Sequence, residues 1–387
     1  MLQPAAAVDP AQIVAFAQKL IQTPSLSQEE QAVADLVERR MRELGYDEVH
    51  RDQMHNVVGV LRGSGKGVSL MLNGHLDHAG VGEMPQPFSG AQVDGAEFGF
   101  QGPVLYGRGA SDMKGGLAAM VQAGGEVKRQ GLALKGDVLV TCVAREEMAR
   151  GEGVKAVLAQ GWRADYALSG EATNLKVYLG HRGKAELKVT TFGQTTHGGN
   201  PAGGVNAILK MTRLLAALEQ GYPLPRHRFL GDATWTVLDI EASPGALTPI
   251  VPDRCRAVID RRFLPEESQA DVLAGLKAVI AELALADPAF RAEVELLKWF
   301  PALFTPPESP VVQAMLAARR QVLGDEGQVG SWYFGVDGTF LSEAGIPCVG
   351  FGPGDEYLAH TPRDVVPVAH LAPASQAYLQ LIADLCT

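Results

Sequence analysis

The sequence predicts an α/β fold in which a domain built on a mixed sheet is split by an inserted α+β domain. Three observations point there. Short apolar runs at 68–72, 137–143 and 166–169 read as buried strands set among helical stretches and glycine turns. From about Gly180 the texture changes to strand, helix, strand, strand, helix, strand, a split ferredoxin-like pattern of a small antiparallel sheet with two helices. After a proline-rich stretch at 301–310 the first texture returns and closes on an apolar helix at 371–386. The expected domains are 1–179, 180–299 and 300–387, the first and last forming one body.

Taken in order, residues from Pro10 to about Leu44 read as two helices. Ile13, Phe16, Ala17 and Leu20 share one apolar face. Ser27 and Glu30 have the spacing of a capping box for the second helix, and Gly45 stops it. Runs at 57–61 and 68–72 read as a pair of strands joined by a Gly-Ser-Gly-Lys-Gly turn. A loop rich in glycine and proline follows at 79–102, and a loop of that size in a compact domain is usually functional or disordered. Glycines then crowd Asp112, ahead of an amphipathic helix from near Lys114 to Arg129. A helix at 154–160 follows the 137–143 strand. In the inserted domain the strands are 185–191, 234–240, 255–263 and 292–299, with helices at 205–220 and 267–285. Beyond the linker come a helix at 311–323 and a strand at 347–351.

The chain of 387 residues is 46% hydrophobic, enough for a sizeable core, and its net charge of −10 opposes binding to a nucleic-acid backbone. Cys142, Cys255, Cys348 and Cys386 are far apart with no Cys-x-x-Cys spacing, which suits buried thiols in a reducing compartment. No charged segment followed by an apolar core opens the chain, and no run approaches the roughly 20 residues of a membrane span. The expectation is a cytoplasmic protein that meets neither nucleic acid nor membrane.

The chemistry lies where the strands end. Three strand-like runs stop at His75 and Asp77, at Glu146 and Glu147, and at Glu171. In open α/β sheets, ligands collect at such carboxyl ends. Asp112 sits in its glycine-rich loop, and His360 follows the 347–351 run. Two histidines and three carboxylates suit zinc. Five ligands are too many for one tetrahedral site, but they match two metals about 3.5–4 Å apart that share one carboxylate. Asp112 is the natural bridge, with His75 and Glu171 completing one site and Glu147 and His360 the other. Asp77 fits as the carboxylate that orients the His75 ring. Glu146 is left as general base for a water attacking a carbonyl, returning the proton to the leaving amine. Other chemistries fare worse. The Gly-x-x-x-x-Gly-Lys-Ser/Thr order of a phosphate loop is absent. His197 with Ser331 would need a Gly-x-Ser-x-Gly elbow, which is also absent.

Each motif is weak alone. Together, Gly74-His75-Leu76-Asp77, Gly107-Arg108-Gly109-Ala110-Ser111-Asp112-Met113-Lys114-Gly115-Gly116, Glu146-Glu147, Gly170-Glu171 and Ala359-His360-Thr361-Pro362 are specific. In that order the chain resembles the di-zinc aminoacylase/carboxypeptidase G superfamily, which includes acetylornithine deacetylase and succinyl-diaminopimelate desuccinylase. The resemblance implies a zinc-hydrolase catalytic domain carrying a lid domain that commonly forms a homodimer. It implies two divalent ions, zinc first, with cobalt or manganese as alternatives. His197 matches the lid histidine that steadies the oxyanion. Arg262 matches the lid arginine that grips a substrate carboxylate, to which Gly352 and Gly354 could also offer backbone amides. Phe351-Gly352-Pro353-Gly354-Asp355-Glu356 and Asp260-Arg261-Arg262 look like the branch often labelled selenium-metabolism hydrolases. Two departures stand out: Pro249-Ile250-Val251-Pro252 replaces an Asn-Val-Val-Pro common among relatives, and Arg145 precedes the paired glutamates. The implied activity is hydrolysis of the amide bond of an N-acyl amino acid. The alternatives are a small-peptide metallopeptidase and a non-catalytic ligand-binding member; retention of Glu146 beside all five ligands argues against the last.

Overall fold

The computed structural model describes residues 7–245, 249–325 and 327–387. They form two compact units. One is the chain up to His181 together with Leu303 onward; the other is Arg182–Ala302.

In the first unit, α1 (Pro10–Ile21) starts where Asp9 accepts the Ala11 amide and Pro10 fills the first helical position. For α2 (Gln31–Glu43) the expected capping box does not form. The Ser27 hydroxyl instead donates to Asp77 Oδ2 at 2.7 Å, and Glu30 Oε1 accepts the amides of Gln28 and Arg145 at 2.8 and 3.1 Å. Both side chains serve the segments next to the strand ends, where buried acceptors and donors must be satisfied.

Next come β1 (Glu48–Arg51), β2 (Val57–Leu61), β3 (Leu70–His75), β4 (Ala91–Asp94), β5 (Pro103–Tyr106), α3 (Gly115–Arg129) and β6 (Val138–Val143). The pair expected from β2 and β3 is not a hairpin. β6 lies between them, antiparallel to β2 and parallel to β3. The reason is visible in the intervening turn, where Ser64 and Lys66 donate at 3.0 Å to the carbonyls of Leu134 and Lys135, on the chain entering β6. Nor is α3 amphipathic: Gly115 to Val127 are all buried. Its glycines permit this, since a Cβ on Gly124 would stand 1.9 Å from the Tyr46 hydroxyl oxygen. A helix apolar or small on every side is one enclosed by its neighbours, here α1 and the C-terminal helix.

The unit continues through α4 (Glu152–Ala159), β7 (Tyr166–Ser169) and β8 (Val177–His181). The second unit holds β9 (Gly183–Phe192), α5 (Ala207–Gly221), β10 (Arg226–His227), β11 (Gly231–Asp232), β12 (Thr234–Ser243), β13 (Arg254–Phe263), α6 (Gln269–Ala286) and β14 (Arg291–Phe300). The chain then returns through β15 (Leu303–Phe304), α7 (Pro310–Leu323), β16 (Val329–Trp332), α8 (Gly338–Glu343), β17 (Cys348–Gly350), β18 (Val365–Pro367) and α9 (Val368–Cys386).

The large sheet of the first unit runs β1-β2-β6-β3-β7-β17-β8-β15, with β16 also on β8. It is mixed, and β3 and β6 are buried at every residue, as central parallel strands should be. The long loop is partly ordered as sheet, because β4, β5 and β18 pair as a second, three-stranded antiparallel layer. The expected linker at 301–310 likewise contains β15, which pairs with β8.

In the second unit the sheet runs β12-β13-β9-β14, all antiparallel, with α5 and α6 packed on it. Two helices and this strand order make the ferredoxin-like arrangement. Leu187, Val189 and Ile259 from the sheet meet Met211, Leu214 and Leu276 from the helices. α6 opens on a complete capping box of Ser268 and Asp271. β12 is an edge strand, and Val237, Leu238 and Ile240 on it are exposed. The four cysteines are buried and free. No described helix is long and apolar enough to cross a membrane.

Candidate metal centre

The register of the large sheet gathers the candidate residues. β3 pairs in parallel with β6 on one side and β7 on the other, His75 opposite Val143 and Asn73 opposite Ser169. The three strands therefore end together. Asp77 follows β3, Glu146 and Glu147 follow β6, and Glu171 follows β7. β17, parallel to β7 with Gly350 opposite Ser169, sends the segment that carries His360 from the same edge.

Asp112 stands between the two histidines. Its Oδ1 lies 2.9 Å from His75 Nε2 and its Oδ2 3.1 Å from His360 Nε2. Glu171 Oε1 is 3.4 Å from His75 Nε2, and Glu147 Oε2 is 2.9 Å from His360 Nε2. Two ligand groups result, His75–Asp112–Glu171 and Asp112–Glu147–His360, each with its donor atoms within 4.8 Å of one another. The first group is buried, whereas the His360 side chain is 53% exposed, so the second opens to solvent.

The donor set fits divalent ions. Imidazole nitrogen and carboxylate oxygen are the ligand types of zinc and its neighbours. Glu171 Oε2 is buried with no hydrogen-bond partner, a cost that a coordinated cation would remove. The electrostatics agree. Burial and the Asp112 charge push the Glu171 carboxyl up to about 7 and also raise Glu147. Burial would lower His75, but the Glu171 charge and the Asp112 hydrogen bond override it and raise it well above the usual imidazole value. Hydrogen bonds to Asp112 and Glu147 lift His360 to about 10. These shifts share one cause, carboxylates crowded together in a buried space beside two histidines.

Each group is set by its surroundings. The loop carrying Asp112 is fixed by buried Asp364, which accepts the amides of Gly109 and Ser111 at 2.7 and 2.8 Å and the Arg108 guanidinium at 3.1 Å. The Glu146–Glu147 turn follows Arg145, held at φ +61°. The Arg145 guanidinium pairs with Glu152 at 3.1 Å. His360 also has a left-handed backbone, φ +60°, a conformation uncommon for such a residue and often found at functional sites. Asp77 has more to do than expected. The His75 Nδ1 hydrogen bond goes to the Asp77 carbonyl at 3.0 Å, with the carboxylate 3.5 Å away. That carboxylate accepts the amides of Glu146 and Glu147 at 3.1 and 3.2 Å.

Glu146 belongs to neither ligand group. Burial and then the charge of Asp337 raise its carboxyl well above the usual range. Asp337 was not anticipated. It is buried, with Oδ2 unpartnered, and burial pushes it up to about 7. Nothing in Gly335-Val336-Asp337-Gly338 distinguishes it from a loop aspartate. Asp364, also unforeseen, carries one faint signal: it lies four residues after His360.

The amides of the Gly352–Gly354 turn, expected to face a substrate carboxylate, have partners within the chain. Gly352 donates to Thr173 Oγ1 at 3.0 Å and Gly354 to His370 Nδ1 at 3.5 Å, because the turn is tied down beside β7. His197 and Arg262 belong to the inserted unit. His197 is exposed on a loop, its Nδ1 accepting the Gly199 amide at 3.1 Å. Arg262 forms a two-pronged pair with Asp260 at 2.7 and 3.2 Å.

Known proteins resemble this chain in sequence and in fold. The chain is 31% identical to the "Uncharacterized protein YgeY" of Escherichia coli (strain K12), over 95% of this chain and 93% of that protein. It is 29% identical to the N-formyl-4-amino-5-aminomethyl-2-methylpyrimidine deformylase of Bacillus subtilis (strain 168), over 86% of this chain and 83% of the enzyme. A tripeptidase structure from Staphylococcus aureus subsp. aureus Mu50 superposes with a TM-score of 0.79 at 20% identity, covering 98% of this chain and 99% of the tripeptidase. Residues 71–384 match the peptidase family M20/M25/M40, a span running from the strand that carries His75 into the last helix. The chain belongs to that family.

Proposed function

We propose that the protein is a metal-dependent amidohydrolase that cleaves the amide bond of an N-acyl amino acid, using two zinc ions. One observation carries this reading: Asp112 is shared by two three-residue ligand groups, while the Glu146 carboxylate beside them is left out of both. His75, Asp112 and Glu171 would hold one ion, and Asp112, Glu147 and His360 the other. When bound, the ions supply Lewis-acid polarisation of the scissile carbonyl and bring the acidity of water toward neutrality.

The chain's own groups do the rest. Glu146 takes the proton of the attacking water and delivers it to the leaving nitrogen, so the amine departs neutral. Asp77 holds the amides of Glu146 and Glu147, and so fixes the base relative to a ligand. The family resemblance assigns the oxyanion to His197 and the substrate carboxylate to Arg262. In the second role Arg262 would share its guanidinium with Asp260.

Deacylation is favoured over peptide cleavage because the deformylase likeness extends through most of the sequence, whereas the tripeptidase likeness concerns the fold. The inserted unit is assigned the lid and a homodimer contact. Its edge strand β12, with Val237, Leu238 and Ile240 exposed, has the character of a strand awaiting a partner. The buried, unpaired cysteines suit the cytoplasm.

The test is metal content per chain, together with amine release from a panel of N-acyl amino acids and dipeptides with and without added zinc. About two metals and zinc-dependent release from the N-acyl compounds are expected. Release from the dipeptides alone would turn the assignment to a peptidase. Failure to retain metal after zinc addition would overturn the reading.

A further inference from the structure

Two tyrosines beside the metal centre are placed against the usual rule for large aromatic side chains. Tyr333 and Tyr357 stack face to face, ring centroids 5.2 Å apart and planes 18° apart, yet they are 47% and 69% exposed. Rings of this size contribute most when covered, and folding leaves about half or more of each exposed. The pair is nonetheless held firmly. The Tyr333 hydroxyl donates to the Glu356 carbonyl at 3.2 Å, and the Tyr333 ring meets Phe334 edge-on at 5.0 Å. The preceding residue, Trp332, is buried and packs edge-on against Tyr178, whose hydroxyl donates to the Glu356 carboxylate.

The pair also borders the chemistry. Tyr357 stands three residues before the ligand His360. The segment that bears it lies on the Asp112 loop, where Ser111 Oγ donates to the Asp355 carbonyl at 2.9 Å. Burial, with the charges of Glu356 and Asp112 among its neighbours, raises the Tyr333 phenol.

We propose that the Tyr333–Tyr357 pair is a specificity shelf that receives a planar aromatic group of the substrate while the amide bond lies at the metal centre. The proposal rests on the amidohydrolase reading above. A stacked pair already parallel presents a third ring with an offset π face. Such contacts discriminate a flat ring from a saturated one of equal size by about twofold to tenfold. An aliphatic wall would make no such distinction.

The experiment compares kcat/KM for N-acetyl-phenylalanine, N-acetyl-cyclohexylalanine and N-benzoyl-alanine on the zinc-loaded full chain and on Tyr357→Ala and Tyr357→Phe. Wild type should favour phenylalanine over its saturated twin within that range. The ratio should fall to about one in Tyr357→Ala and return in Tyr357→Phe, with metal content constant. N-benzoyl-alanine, set against N-cyclohexanecarbonyl-alanine, places the ring on the acyl side and reports which arm of the substrate meets the shelf. No preference for the flat ring on either arm in wild type, or the same ratio in Tyr357→Ala, would overturn the proposal. If none of these is hydrolysed, calorimetric binding of N-acetyl-phenylalanine decides. Weaker binding to Tyr357→Ala than to wild type would keep the shelf and sink the hydrolase reading. Equal or absent binding would sink the shelf.

Discussion

The Glu146 amide donates to Asp77 Oδ1 at 3.1 Å. A carboxylate two residues past a candidate ligand histidine thus holds the backbone of the proposed base. The other oxygen holds the Glu147 amide at 3.2 Å and the Ser27 hydroxyl at 2.7 Å. Asp77→Ala would leave these donors without their acceptor. We expect kcat/KM and metal affinity to fall by about 10–100-fold, the usual range for such supporting groups. Steady-state kinetics with metal analysis on the same preparation checks both.

Glu146→Gln removes the proton acceptor but keeps the shape. Because Glu146 lies outside both ligand groups, two metals per chain should remain. Turnover should fall by about 10²–10⁴-fold, the typical contribution of general base catalysis. A Gln variant with wild-type kcat would remove Glu146 from the mechanism.

His75→Ala should halve the metal content. The Asp112–Glu147–His360 group shares only Asp112 with the first, so it keeps its three ligands. Metal analysis after dialysis against zinc, then buffer, reads one ion instead of two. Chelation of wild type should lower its unfolding midpoint, and zinc restored at about 100 times its Kd should return about 2.7 kcal/mol for each ion bound.

Asp364→Ala breaks a buried pair with Arg108 and strips two amides of their acceptor. Leaving a buried charge uncompensated costs about 3–5 kcal/mol. Urea unfolding should show a lower midpoint with an unchanged slope.

His78 predicts an acid limit. Burial, then the nearby Lys114 charge, depress its imidazole to about 4, and its Nε2 accepts the Ser25 amide at 3.0 Å. In the unfolded chain the group titrates near 6.5. As pH falls below about 6.5 the unfolded chain takes up the proton first, so stability drops until about pH 4, where the folded chain binds it too. The full effect is on the order of 3 kcal/mol. Urea midpoints at pH 7 and 4.5 should diverge less in His78→Asn than in wild type.

How far these features could be read from the chain depended on the kind of residue. β3, β6 and β7 were legible because each central strand carries an apolar run, 70–72, 138–140 and 166–168. β1 and β4 were not: Glu48–Arg51 and Ala91–Asp94 mix polar with apolar residues and are only partly buried. The β2–β3 hairpin misled because two short strands around a glycine turn look the same whether or not a third strand separates them. The five candidate ligands could be found since each follows a strand or sits in a glycine-rich loop. Asp364 could not, because its role appears only when it reaches Gly109, 255 positions away. The partners of the Gly352 and Gly354 amides were hidden for a related reason, since Thr173 and His370 reach them only after folding.

The inserted unit also sets an order of assembly. His75, Asp112, Glu147 and Glu171 are all made before the ribosome reaches Arg182, while His360 comes after Ala302. Domains fold as they are made, from the N-terminal side. The buried ligand group is therefore complete in a nascent chain whose solvent-facing group still lacks its histidine. β17, which lies between β7 and β8 in the finished sheet, must likewise enter between strands synthesised long before it. A chain that stops before His360 therefore lacks one of the three residues of the second group.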